Sequence, residues 1–208
     1  ITTLFPDHDI LAEEFTNIDS GSDFRWIIDP LDGTTNYAHG FPFFCVSIAL
    51  ERLDTIIVGI VYDPMLDEMF VAEKGKGAFL NEREIHVSNT REIIKSFLAT
   101  GFPYDIREES HNNLNYFNEM IIKAQAIRRA GSAALDIAYV AAGRFDGFWE
   151  IKLNPWDIAA GWLLVEEAGG MVTDMGGNNY FLESPSILAS NGRIHKGMMA
   201  VLESASSI

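Results

Sequence analysis

Asp29 and Asp32 stand three residues apart in the segment W-I-I-D-P-L-D-G-T-T-N, residues 26–36, and lead directly into Gly33 and Thr34. The apolar run Trp26-Ile27-Ile28 predicts a short buried strand ending at Asp29. Pro30 fixes the turn that follows, and Gly33 permits a tight backbone path into a helix start with threonines near its cap. Carboxylates and free N–H groups then converge on one spot. Carboxylates hold a hard cation, and unpaired N–H groups at a helix start bind an anion, so the pattern points to metal-assisted chemistry on a phosphate ester. The plainer account is a turn braced by Asx-type hydrogen bonds, and the segment alone does not separate the two.

The elements that must position these residues are legible in outline. Strands are expected at Phe43–Leu50 and Ile56–Tyr62 around a charged turn, then at Met69–Glu73, Ala78–Leu80 and Ile85–Val87, forming a mostly antiparallel meander. A strand at Phe97–Gly101 precedes an amphipathic helix whose core stripe is Leu114, Phe117, Ile121 and Ala124. Ser132 to Ala142, capped by Gly131-Ser132 and stopped by Gly143, reads as a buried helix. Phe148-Trp149-Glu150 reads as a strand, Asp157 as the cap of a helix over Ile158–Ala168, and Met171–Thr173 and Ile187–Ala189 as strands before a last helix from about Arg193. Strands and helices alternating in blocks favour a layered α+β sandwich over a doubly wound sheet.

Composition narrows the function classes. The chain has 208 residues, with 15 Lys and Arg against 30 Asp and Glu, a formal charge of −15 that disfavours nonspecific attraction to nucleic acid or anionic lipid. Bound metal ions can still invert the local field for a phosphate. Cys45 is the one cysteine and lies in an apolar run, so it reads as a buried structural thiol, with no intrachain disulfide and a reducing cytoplasm expected. The apolar stretch from Phe41 to Leu50 is too short to span a bilayer, and residues 1–4 lack a leader pattern. Gly75-Lys76-Gly77 is not a P-loop, the histidines have no ligand spacing, and no Gly-x-Ser-x-Gly elbow is present. An aspartyl phosphatase of the haloacid dehalogenase type needs Asp-x-Asp, whereas here two residues, one of them proline, intervene.

Asn154-Pro155-Trp156-Asp157-Ile158-Ala159-Ala160-Gly161 forms a second motif. With the double-aspartate segment, Leu11-Ala12-Glu13-Glu14, Gly75-Lys76-Gly77-Ala78-Phe79, Arg129 to Ala134 and Trp149-Glu150, the chain resembles the inositol monophosphatase family of magnesium-dependent, lithium-sensitive phosphatases over nearly its whole length. The resemblance implies the αβαβα sandwich of the sugar phosphatases, as one catalytic domain over 1–208 with two intimate subdomains, roughly 1–95 and 96–208. It implies that Glu13, Asp29, Asp32, Asp157 and the Leu31 carbonyl bind two or three Mg²⁺ ions, with Mn²⁺ as an alternative, Asp29 bridging and Glu13 also orienting the attacking water. Gly33 and Thr34 match phosphate-contacting groups, and Thr34 also positions water. Gly131, Ser132 and Ala133 match the segment lining the substrate, alongside Asp32 and Asp157, and Glu150 matches the acceptor for a substrate hydroxyl. Read without the family, Asp157 is simply a helix cap and Glu150 a strand-end surface charge.

Elementary electrostatics points the same way. Four carboxylates gathered without a cation repel by roughly 4 kcal/mol per pair at about 4 Å and an effective dielectric near 20, and an all-oxygen donor set selects Mg²⁺ or Mn²⁺ over zinc. The expected substrate is a small polyol or sugar monophosphate, inositol 1-phosphate foremost, with fructose 1,6-bisphosphate as the alternative. A regulatory binding protein that keeps the phosphatase fold is the reading from another class, since some bacterial relatives act on the transcription machinery. The family also carries the expectations of a homodimer and lithium inhibition, and of an N-terminal helical segment with a further aspartate ahead of residue 1.

Overall fold

A computed structural model describes residues 1–14, 17–110 and 112–205. Among these, strands β1 (Asp9–Ala12), β2 (Phe24–Asp32), β3 (Cys45–Arg52), β4 (Thr55–Asp63), β5 (Glu68–Glu73), β6 (Ala78–Leu80) and β7 (Arg83–Ile85) lie side by side in chain order in a seven-stranded sheet. All neighbours in it are antiparallel except β1 and β2. The β3–β4 and β6–β7 connections are two-residue turns, Leu53-Asp54 and Asn81-Glu82, with φ positive at both central residues, the geometry that matches strand twist in a tight hairpin. A second, five-stranded sheet has the order β11 (Met171–Thr173), β12 (Ser186–Ser190), β10 (Gly147–Ile151), β8 (Phe97–Thr100) and β9 (Ala126–Arg128).

Helices α3 (Ala133–Ala141) and α4 (Pro155–Glu167) pack between the two sheets, and α2 (Leu114–Ile121) and α5 (His195–Ala205) pack together on the far side of the second. The second sheet is buried on both faces, so its strands divide their side chains by alternation: Phe148, Ile187 and Ala189 enter the core between the sheets, while Trp149 and Leu188 join Met120, Met198 and Leu202 beneath α2 and α5. Glu150, two residues from Phe148, therefore shares the inner face. The expected layered sandwich is borne out, with sheets and helix pairs in alternation. Close approach fixes one glycine in it: a Cβ on Gly59 of β4 would lie 2.6 Å from the Ala160 carbonyl oxygen of α4.

Four local expectations are corrected. β2 does not end at Asp29 but runs on to Asp32, because a bulge between them lets the strand continue past Pro30, which has no N–H for the ladder. β1 and β9 were not foreseen; each is short and pairs in parallel with a distant segment, which leaves no hairpin signal. Leu114 and Ile121 lie exposed rather than in the core, since α2 is rotated to bury Met120, with Tyr116 and Phe117 against the same cluster. Asp157 is not the cap of α4: Asn154 is, Pro155 takes the first helical position where no N–H is needed, and Asp157 sits in the first turn with its carboxylate accepting from the Asn154 N–H at 2.8 Å. Among the described residues, no helix is long and apolar enough to cross a membrane.

Candidate active site

Three residues apart on a regular strand, Asp29 and Asp32 would point to opposite faces. The bulge adds one residue to β2, shifting the pairing from Asp29 opposite Ser47 to Asp32 opposite Cys45, and so brings both carboxylates to the same side. Asp29 Oδ1 accepts the Leu31 N–H at 2.8 Å, the Asx-type bond of the plainer reading, so turn bracing and site building are the same feature. Gly33 then turns the chain at φ 94°, and its α-hydrogen side faces the Phe43 carbonyl so closely that a Cβ would lie 3.0 Å from it. Helix α1 (Thr34–Ala38) follows, with Thr34 Oγ1 donating to the Leu31 carbonyl at 3.0 Å.

The rest of the chain closes on this corner. Ser132, the N-cap of α3, donates from Oγ to Asp32 Oδ2 at 2.7 Å, and the Ala134 N–H donates to the same oxygen at 2.7 Å. Asp157 arrives from the first turn of α4. The carboxylates of Asp29, Asp32 and Asp157 offer oxygens that lie within 4.8 Å of one another. They line a cavity of about 140 Å³ together with Glu13, Leu31, Gly33, Thr34, Gly131, Ser132, Ala133 and Glu150. Every residue anticipated from the sequence thus borders one cleft. Glu13 differs from the others: its side chain is exposed and stands outside the trio that converges.

The cleft is short of positive charge. Among its described lining residues, Arg129 carries positive charge against the six carboxyls of Glu13, Asp29, Asp32, Asp136, Glu150 and Asp157, and its charge is felt by Asp136 and Glu150. Burial, then the charges of Asp32, Glu13 and Asp157, push Asp29 up to about 8 against the opposing Leu31 hydrogen bond. Burial likewise pushes Asp157 to about 7 and Glu150 to about 8, and raises Asp32 despite the hydrogen bonds that oppose it. Three such groups with oxygen donors only, each braced by a backbone or hydroxyl donor, fit a hard divalent cation that restores their charge.

Comparison with known proteins decides the family. The description "Inositol monophosphatase family" matches residues 1–207. The chain belongs to the inositol monophosphatase family. It is 44% identical over 199 residues to the inositol-1-monophosphatase of Mesorhizobium japonicum, covering 95% of this chain and 75% of that protein. It is 47% identical over 198 residues to the Nus factor SuhB of Escherichia coli, covering 94% of this chain and 74% of that one. The solved inositol monophosphatase of Anabaena (Nostoc) superposes with a TM-score of 0.95 at 48% identity, over 98% of this chain and 81% of that chain. Membership in the inositol monophosphatase family, with the carboxylate trio, places the chain among magnesium-dependent phosphomonoesterases.

The sequence missed several cleft residues. Asn36 Nδ2 donates to the Phe43 carbonyl at 2.7 Å and the Ala130 carbonyl at 2.8 Å, tying α1 to the segment before α3. Gly131, at φ 93°, presses so close to it that a Cβ would lie 3.0 Å from Asn36 Nδ2. Gly101 lies against Glu150, where a Cβ would be 2.2 Å from Oε1. Asn36 and Arg129 stand within segments that carry the resemblance, with no role assigned to either; Gly101 and Asp136 give no signal of their own. Cys45 is fully buried, its Sγ 3.6 Å from Ser132 Oγ, and burial pushes its thiol well up, which leaves it a structural neighbour of the site.

Proposed function

We propose that the chain hydrolyses the phosphomonoester of a small polyol or sugar, inositol 1-phosphate foremost, by in-line attack of an activated water. The observation that carries this reading is the convergence of Asp29, Asp32 and Asp157 within 4.8 Å in a cleft that Ser132, Ala133 and Glu150 also line. Asp29, Asp32, Asp157, Glu13 and the Leu31 carbonyl would hold two or three Mg²⁺ ions, or Mn²⁺. Such ions supply Lewis acidity toward the phosphoryl oxygens and acidify water. The chain's own part is positioning. The Leu31 N–H fixes Asp29, the Ser132 hydroxyl and Ala134 N–H fix Asp32, and the Asn154 N–H fixes Asp157. Thr34 has its hydroxyl directed to the Leu31 carbonyl, which orients its lone pairs for water, and with Gly33 it borders the space for phosphate. Glu13, exposed at the cleft, is suited to orient the attacking water. Glu150, held on the inner face of β10, accepts from a substrate hydroxyl.

The deciding experiment measures phosphate release from inositol 1-phosphate and fructose 1,6-bisphosphate, with Mg²⁺ and with EDTA, for the protein and for Asp157→Asn. Metal-dependent release lost in the variant supports the reading, and the ratio of rates assigns the substrate branch. No release from either ester by the folded protein overturns it. The 47% identity to a protein named Nus factor SuhB favours a second reading, a regulatory binding role of the same fold. Capture of a partner retained by Asp157→Asn supports that role, because binding then survives loss of the metal site. The family also supports a homodimer, which light scattering tests directly, and inhibition by lithium.

A further inference from the structure

Asp136 lies in the first turn of α3, four residues after Ser132, and is 2% exposed. Buried carboxyls elsewhere in the molecule differ: Asp9 accepts from Ser20 Oγ and two backbone N–H groups, Asp146 from Ser88 and the Phe97 N–H, and Asp63 from the Met65 and Leu66 N–H groups through Oδ1, with its Oδ2 unpaired away from the cleft. Asp136 Oδ1 is also buried with no hydrogen-bond partner among the described residues, and unlike Asp63 it belongs to a residue that borders the cleft. Leaving such an acceptor unpaired destabilises the fold, and an apolar residue would suit a buried helix better. Asp136 is nevertheless a lining residue of the cleft, with Glu150 and Asp32 as its charged neighbours and Arg129 opposing them. Burial pushes its carboxyl well above the usual range, and its Oδ1 is left open to a partner that enters the cleft.

The missing partner is a polar group that enters the cleft. A phosphoryl group brings only acceptors, which serve the carboxyl only when it is protonated. A polyol brings several hydroxyl donors, and a carboxyl pairs with one whether ionised or neutral. Glu150 alone can engage one end of such a ring, and Asp136, on the facing helix, reaches the cleft independently. Resting on the polyol phosphatase reading above, we propose that Asp136 is a specificity-determining residue that accepts a hydrogen bond from a second substrate hydroxyl, beside the one taken by Glu150. A leaving group with one hydroxyl or none leaves Asp136 unpaired, and the site discriminates against it as sites built around buried polar groups do.

The test compares kcat and KM for inositol 1-phosphate and for p-nitrophenyl phosphate, which has no hydroxyl on its leaving group, using Mg²⁺-loaded protein, Asp136→Ala and Asp136→Asn. The expected result is a fall of about tenfold in the kcat/KM ratio of the two esters for Asp136→Ala, carried by KM for inositol 1-phosphate. Asp136→Asn, which keeps a carbonyl acceptor, should restore most of the ratio. An equal loss on both esters, an unchanged ratio, or an Asn variant no better than Ala overturns the proposal. Should Asp136→Ala not fold, monodeoxy inositol 1-phosphates assayed on the protein and on Asp136→Leu, which fills the buried volume without an acceptor, provide the same decision. One ring position must lose its hydroxyl preference in the variant, and the same preference at every position in both proteins overturns the assignment. Failure of the unaltered protein to hydrolyse either ester overturns the polyol reading itself, whereas hydrolysis of both with no change of ratio overturns only the role of Asp136.

Discussion

Ser132 Oγ donates to Asp32 Oδ2 at 2.7 Å across 100 residues of sequence, joining the cap of α3 to the end of β2. One hydroxyl thereby serves the helix and aims a carboxylate in the cleft. Ser132→Ala should destabilise the protein by about 2 kcal/mol, the sum of a lost bond to a charged group and a weakened cap. It should also weaken Mg²⁺ binding by about 10–100-fold, as loss of an orienting partner does. Urea unfolding and Mg²⁺ titration check the two effects, and intact metal affinity would show that Ala134 alone holds Asp32.

Asp29 is 1% exposed, and its carboxyl is pushed up to about 8. Asp29→Asn should lower metal-dependent turnover by more than about 100-fold, beyond what an outer partner contributes, while raising the melting temperature of the metal-free protein. Loss of turnover together with loss of metal-free stability would assign Asp29 a structural role instead.

The pH dependence has a definite sign. Asp29 near 8 and Asp157 near 7 retain protons in the fold that the unfolded chain gives up at about 4. Their contribution to metal-free stability is therefore complete below about pH 4 and is lost as pH rises through about 7–8. Metal binding runs the opposite way, because the ligands must shed protons first. Apparent Mg²⁺ affinity should climb between about pH 6 and 8.5. Calorimetry at about pH 6.5 in buffers of different ionisation enthalpy should detect proton release; none detected would mean the carboxyls are already ionised.

Two glycines separate packing from chemistry. Gly59→Ala drives a Cβ to 2.6 Å from the Ala160 carbonyl, between sheet and helix, and should cost about 1–3 kcal/mol in stability with KM unchanged. Gly101→Ala meets the Glu150 carboxylate at 2.2 Å and should raise KM for a polyol phosphate with a smaller stability loss. Chemical denaturation and steady-state kinetics on both variants make the comparison, and a KM effect at Gly59 alone would contradict it.

The sequence by itself determined the chemistry-bearing groups and most of the elements. Asp29 and Asp32 stood out by their spacing, and Ser132, Glu150 and Asp157 entered as candidates through the family resemblance, whereas the β3–β4 hairpin and helix α3 were legible because apolar periodicity, caps and turn residues act within a few positions of one another. Only the tertiary structure decided how these groups meet. The bulge that turns Asp29 and Asp32 to one side depends on pairing with β3, and the rotation of α2 depends on packing against α5 and the second sheet. Asn36 became a clamp only when the Ala130 carbonyl came within 2.8 Å, and Asp136 became an unpaired acceptor only when α3 was buried between two sheets. Spacing along a chain fixes local hydrogen bonds and faces, whereas convergence across more than one hundred residues is set by register and close packing, which no local pattern encodes.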